Sequence, residues 1–199
     1  MKYHANTHHP SNTIALHNFR GGYCGVSNVE DDKTNICYLV HRDFLRSAGS
    51  PEVLEKKVLF KNPLLKELFT SSDFLFEQPE TISEISFVTK EPIWKHIFMV
   101  GDSAGMIAPL CGNGMAMAIH SAKILTDILI NEPDENRDHI ENKYSHEWKI
   151  QFAKRLKFGR LVQNKLFGSH WSSNLSMHIA VDFPSIAKWI IRNTHGKPF

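Results

Sequence analysis

Hydrophobic and polar residues alternate along the first third of the chain with the period of a β-strand. The alternation predicts three antiparallel strands over residues 13–19, 22–29 and 34–40, and a polar turn at 30–33 joins the last two. Residues 81–90 alternate again and predict one further strand. Because successive side chains of a strand point to opposite faces, such strands can bury one face. We therefore expect an antiparallel sheet in this part of the chain.

In most of the remaining chain the apolar residues recur with the period of a helix. Proline at the start of a segment favours a helix there, because its missing N–H costs nothing in the first turn. Gly159 and Gly168 predict a bend and an end in the longest helix. The predicted helices span residues 51–60, 63–69, 115–130, 134–167, 173–181 and 184–193.

The most informative segment combines a strand, a carboxylate and a helix start. An apolar run predicts a buried strand over 97–100, Gly101 and Asp102 follow it, and Gly112 and Gly114 precede the next helix. The first amides of a helix have no intrahelical acceptor and favour negative charge. Asp102 cannot serve the same anion, so we expect it to accept hydrogen bonds from hydroxyls. A ligand with a polyol at one end and an electron-poor ring at the other, such as a flavin, fits both features.

This segment resembles the second flavin-binding motif of one superfamily of FAD-dependent oxidoreductases. The superfamily includes the para-hydroxybenzoate hydroxylase-type (group A) monooxygenases, the flavin-dependent halogenases and the geranylgeranyl reductases. Glycine rather than histidine at position 105 makes the motif more similar to the reductases and halogenases. The resemblance implies that Asp102 binds the ribityl hydroxyls of FAD and that the amides of residues 110–115 face the pyrimidine edge. The residues that it assigns to the cofactor are Gly101, Asp102, Ala104, Gly105, Pro109, Gly112, Asn113, Gly114 and Met115.

The fold that the resemblance implies is α+β, a part of the FAD/NAD(P)-binding fold of this superfamily. Residues 1–90 would belong to a substrate-binding sheet domain, 91–131 to the second half of the FAD-binding domain, and 132–199 to a helical C-terminal region. A mixed sheet lies over the flavin ring in the superfamily, which would place residues 19–25 near its reacting edge. A glycine bulge packed closely against another element explains that segment equally well.

A Gly-x-Gly-x-x-Gly run, which holds the ADP pyrophosphate in enzymes of this class, does not occur in the chain. The glycine cluster at 21–25 has no helical pattern after it. We therefore expect this chain to be the C-terminal part of a longer enzyme whose N-terminal half carries that run. Alone, it should bind FAD weakly or not at all. A small apolar or aromatic molecule is the expected substrate, and NAD(P)H is a candidate electron donor.

The predicted function is that of an FAD-dependent oxidoreductase of the reductase or electron-transfer type, similar to the geranylgeranyl reductases. A monooxygenase that hydroxylates a phenolic or lipid-like substrate is one alternative, and a non-catalytic remnant that binds a partner is another. The sequence assigns no residue a catalytic role. Cys111 is open to two interpretations, because a thiol at a helix start has a lowered pKa and can be nucleophilic, yet it can also be a small packing residue.

The composition gives no sign of a metal site, a secretory segment or a transmembrane helix. The three cysteines and 12 histidines lack the spacing of a metal site, so no metal is expected. The chain opens on no apolar secretory segment and has no run of 18 apolar residues, so we expect a cytoplasmic protein without a transmembrane helix.

The net charge of +2 conceals a basic C-terminal region, because residues 149–199 carry nine Lys or Arg and one acid. No nucleic-acid recognition motif accompanies these residues, and we expect no nucleic-acid partner. A solvated face that pairs with the missing N-terminal half is the favoured interpretation. Contact with an anionic membrane surface or a phosphate-bearing substrate is the alternative.

Overall fold

The protein is described by a computed structural model whose described residues are 2–7, 9–83, 85–166, 170–195 and 199. These residues fall into two compact units. The first lies within Met1–Ile85 and Phe167–Ser173, and the second within Ser86–Leu166 and Asn174–Phe199. No helix in the described part of the chain is long and apolar enough to cross a membrane.

The first unit contains a five-stranded antiparallel sheet made of β1 (Lys2–Asn6), β2 (Ile14–Phe19), β3 (Gly22–Asn28), β4 (Thr34–Val40) and β5 (Asp73–Phe74). Their order in the sheet is β2-β3-β4-β1-β5. The three strands predicted from alternation are confirmed as β2, β3 and β4. The turn after β3 closes with a bond from Val29 N to Lys33 O of 2.8 Å.

Short helices cover one face of this sheet. The helices predicted over 51–60 and 63–69 are confirmed as α2 (Pro51–Lys57) and α3 (Pro63–Ser71). A 3-10 turn at Leu59–Lys61 joins them. Ser50 and Asn62 accept hydrogen bonds from amides of the first turns, which stabilises both starts. The sequence pattern does not predict α1 (Arg42–Ala48), because this helix has no buried residue and so no apolar period. The core contains Ala5, Cys24, Val26, Ile36, Tyr38, Leu54, Leu59, Leu65 and Phe69.

The second unit packs helices around an aromatic stripe. The helix α5 (Arg137–Leu166) presents Tyr144, Trp148, Phe152 and Leu156 at steps of four, and all four are buried. They pack with residues of the segment between β7 (Ile97–Phe98) and α4 (Gly114–Asn131), and with residues of α4 itself. These residues are Ala104, Ile107, Ala108, Cys111, Met117 and Ile128. The other elements are a hairpin of β6 (Ile93–Trp94) and β7, the part of α6 (His170–Asp182) from Asn174 onward, and α7 (Pro184–His195).

The bounds of α5 differ slightly from the prediction. It begins at Arg137 rather than 134, because the Asn136 side chain accepts a hydrogen bond from His139 N (2.9 Å) and ends the preceding turn. The helix continues through Gly159. The position of a Cβ there would lie only 3.2 Å from Cys111 Sγ, so glycine permits close packing. The helix end predicted at Gly168 lies outside the described residues.

Two strand predictions are wrong. The buried strand expected over 97–100 is reduced to β7, and its first residue, Ile97, is exposed on a two-stranded hairpin. The described residues of the segment 81–90 contain no strand. A strand needs a partner, and this segment instead contacts α5, where Arg160 donates to Phe87 O (3.1 Å) and Thr89 Oγ1 (2.6 Å).

Candidate functional site

A shallow groove in the second unit lies between the turn after β7 and the start of α4. It has a volume of about 300 Å³. Residues from both ends of the predicted motif meet there, although a turn and a buried segment separate them in the sequence. The groove is lined by Val100, Gly101, Asp102, Gly114, Met115 and Ala118.

The carboxylate side of the groove is a 3-10 turn over Gly101–Ser103. Gly101 has a φ of +58°, and the position of a Cβ on it would lie 3.0 Å from Ala118 Cβ, so this turn requires glycine. Its amide donates to the buried hydroxyl of Ser121 on α4 (2.8 Å). The turn exposes the Asp102 carboxylate to solvent. Ser121 was missed by the sequence analysis, and its only signal was a small polar residue within an apolar helix.

The other side of the groove is the start of α4. Met117 is the first residue whose amide donates to an acceptor of this helix, Asn113 O at 3.1 Å. Asn113 gives α4 no side-chain hydrogen bond, so Gly114, Met115 and Ala116 keep amides without an intrahelical acceptor. Gly112, at a φ of +63°, ends the turn Pro109–Cys111 that leads into this start. Such amides favour an anion or a strong acceptor.

Other predicted site residues lie away from the groove. Ala104 and Gly105 are buried, and the position of a Cβ on Gly105 would lie 2.9 Å from Leu156 Cδ1 and 3.3 Å from Trp148. Pro109 is half-buried. Asn113 is only 6% exposed, and its side chain faces α7. These residues shape the segment around the groove, and a direct contact of theirs with a cofactor stays a prediction.

Tyr144 fixes the strand that leads into the groove. Its hydroxyl donates to Met99 O at 2.7 Å, and its ring meets the Phe98 ring edge-on. Burial raises the pKa of Tyr144 to about 12, so the hydroxyl stays protonated and keeps donating at neutral pH. The position of the turn at Gly101 thus depends on a residue from the middle of α5.

Cys111 is a packing residue rather than a nucleophile in this structure. It is buried with Ile107 and Ala108 beside Gly159 of α5. Burial raises the pKa of its thiol, which is the opposite of the lowered pKa that an activated thiol needs.

We expect the native protein to resist alkylation at Cys111. Burial blocks the reagent, and the raised pKa reduces the thiolate fraction at pH 8. Peptide mapping after iodoacetamide treatment should show Cys37, which is half-buried, labelled well before Cys111. Denaturation in guanidinium chloride should remove this difference. Equal labelling of both thiols in the native protein would contradict the buried position.

A group of three possible metal ligands, His96, Asp138 and Glu141, lies beside the hairpin, with ligand atoms within 4.8 Å of one another. Glu141 already accepts a hydrogen bond from Arg137 Nε (2.6 Å) and lies 3.2 Å from His96 Nδ1. The hydrogen bond from Arg137 lowers the pKa of Glu141. A guanidinium in contact with the carboxylate opposes a second cation, so we describe this group as an ion-pair network.

The glycine segment 19–25 lies in the first unit, across the β2–β3 turn. The position of a Cβ on Gly22 would overlap the Leu39 carbonyl oxygen, and one on Gly21 would overlap the Phe44 ring. These contacts support the packing interpretation of the two glycines. The proximity of this segment to a flavin stays a prediction.

No family model matches the chain, and no solved structure matches it. A tryptophan 2-halogenase from Chondromyces crocatus is similar to it, with 26% identity over 97 residues. The matched region is 47% of this chain and 19% of the halogenase, so the chain spans about a fifth of the length of this curated relative. The match supports a distant relationship with a halogenase. Halogenases are one of the classes that the motif resembles.

Proposed function

We propose that this chain is the C-terminal part of an FAD-dependent oxidoreductase and that the groove contacts the flavin. The observation that carries the proposal is the meeting of an exposed carboxylate with an uncapped helix start around one groove. The two sides present opposite hydrogen-bonding character, since Asp102 only accepts and the amides of Gly114 and Met115 only donate. A flavin has hydroxyl donors on its ribityl chain and carbonyl acceptors on its pyrimidine edge, so the groove fits this group.

The residues of the chain would bind and polarise the cofactor. When bound, FAD supplies the transfer of hydride or electrons. Asp102 would accept hydrogen bonds from the ribityl hydroxyls, which positions the ring against α4. The amides of Gly114 and Met115, with the positive end of the helix dipole, would stabilise negative charge on the pyrimidine edge. This arrangement favours the reduced form of the flavin.

We propose a small aromatic or apolar substrate for the whole enzyme. The name of the similar halogenase specifies an aromatic amino acid, and this favours the aromatic option. A geranylgeranyl-reductase-like enzyme, a halogenase and a monooxygenase all remain compatible with the motif. Oxygen uptake measured with NADPH as the electron donor distinguishes the three reactions. Reduction of a double bond consumes no oxygen, whereas hydroxylation and halogenation both consume it. Of these two, only halogenation requires a halide.

The proposal is tested by measuring FAD affinity in the complete gene product, purified and stripped of flavin. We expect Asp102→Ala to raise the dissociation constant of FAD by about 10- to 150-fold, because each lost charge-assisted hydrogen bond costs roughly 1.5–3 kcal/mol. A second variant, Gly114→Ala, adds a methyl group beside the groove. A Cβ there meets no protein atom closer than 4.0 Å, so this variant should fold normally and still bind FAD more weakly.

The matched control is Asp127→Ala, which removes an exposed carboxylate from α4 at a position outside the groove. Asp127 forms an exposed ion pair with Lys123 (2.6 Å), so its loss should cost under about 1 kcal/mol of stability and leave FAD affinity unchanged. A wild-type protein that binds no FAD would overturn the proposal and favour a non-catalytic remnant. Unchanged affinity in Asp102→Ala would show that the groove is not the flavin contact.

A further inference from the structure

The side chain of Asn113 anchors the C-terminus of α7. Its Nδ2 donates to Thr194 O at 3.3 Å and to His195 O at 3.2 Å. Thr194 and His195 are the last residues of α7, where the carbonyls have no intrahelical donor. One buried amide group thus donates to two carbonyls that lack an intrahelical donor, and it joins α7 to the residue directly before α4.

Asn113 points its side chain at α7 and does not cap α4, although capping is the role that its position favours. Asn113 occupies the N-cap of α4, and asparagine is among the best N-cap residues because its side-chain oxygen can accept from the second or third helical amide. Here those amides belong to Met115 and Ala116, and Asn113 bonds to neither. Its backbone, with φ −116° and ψ 13°, also differs from the extended conformation of a typical N-cap. Capping would require a rotation about this backbone.

The rest of α7 is held by few groups. The Trp189 ring meets Phe158 edge-on with centroids 5.3 Å apart, and the bond from Arg155 to His195 O (3.4 Å) adds to the anchored end itself. Within the described part of α7, only Thr194 is buried. A helix held mainly at one end can detach by local unfolding at a modest cost in free energy. We call α7 seated when its carbonyls accept from Asn113 and released when these bonds are broken.

We propose that α7 controls the groove through Asn113. With α7 seated, Asn113 is occupied by the α7 carbonyls and the first amides of α4 stay open to the flavin. With α7 released, Asn113 caps α4, and its side-chain oxygen competes with the flavin for the same amides. This inference rests on the proposed function, since the flavin is the ligand that the amides would bind. Asn113 is a positioning residue in this scheme and does not itself hold the cofactor.

The test uses a variant that releases α7 without touching the groove. Ile190→Pro places proline in the interior of α7 and should break the helix before its anchored end. An N-cap is worth about 1 kcal/mol, so FAD affinity should fall by about fivefold. Adding Asn113→Ala to this variant removes the competing oxygen and should recover the lost affinity. The matched control, Ile190→Ala, keeps the helix and should bind FAD like the wild type.

Each outcome decides between the two proposals. Absence of FAD binding in the wild type overturns the proposed function, and with it this inference. Wild-type binding with unchanged affinity in Ile190→Pro overturns the inference alone, and so does a loss that Asn113→Ala fails to recover. Should Ile190→Pro not fold, hydrogen exchange of the wild type decides: bound FAD must slow exchange in α7 because coupling is reciprocal, and unchanged exchange rejects the coupling.

Discussion

Replacing Trp148 by alanine is expected to lower the free energy of unfolding of the second unit by about 3–5 kcal/mol. Trp148 is 2% exposed and is the largest fully buried side chain of the described residues. Its ring lies 5.5 Å from that of Phe152 and against the backbone of Gly105. Alanine would leave a cavity beneath the segment that carries the groove. Urea denaturation followed by circular dichroism at 222 nm measures the loss.

The matched control is Trp94→Ala, in which the same side chain is removed from an exposed position. Trp94 is 59% exposed on β6, so its loss should cost under about 1 kcal/mol. Similar losses in the two variants would contradict the aromatic core along α5. A selective loss in Trp148→Ala would support it.

Leu65→Ala is expected to destabilise the first unit by about 2–5 kcal/mol. Leu65 lies on α3, is fully buried, and packs in the core beneath the sheet with Leu54, Leu59 and Ile36. The strand β3 is paired on both sides, with β2 and β4, and its amides should exchange faster by a factor that matches the loss of stability. Hydrogen-exchange mass spectrometry resolves the effect for this unit.

The neighbouring Leu64 provides the control on the same helix. It is 60% exposed, so Leu64→Ala should change the exchange of β3 little. The two substitutions remove the same atoms from adjacent positions and differ only in the face of α3 that they alter. If Leu64→Ala were the more damaging of the two, the orientation of α3 on the sheet would be wrong.

The sequence alone predicted those parts of the candidate site that depend on residue type and on neighbouring positions in the chain. A carboxylate after a strand and glycines before a helix are visible in the sequence, and Asp102 and Gly114 do line one groove. The destination of the Asn113 side chain was not predictable, because its acceptors are Thr194 and His195, more than 80 positions away. Ser121 was missed for the same reason, since its partner, the amide of Gly101, is distant in the sequence.

Local sequence was sufficient for elements whose hydrogen bonds and caps lie close along the chain. Helices α2 and α3 begin at prolines that their neighbours Ser50 and Asn62 cap, and the turn after β3 brings β3 and β4 together as neighbours. Elements that depend on distant partners needed the tertiary structure. The alternating segment 81–90 found no strand partner among the described residues, and the apolar run at 97–100 lies at a hairpin and an open groove. Whether a residue is buried or paired depends on the residues around it, many of them distant in the sequence, and only the folded chain determines which those are.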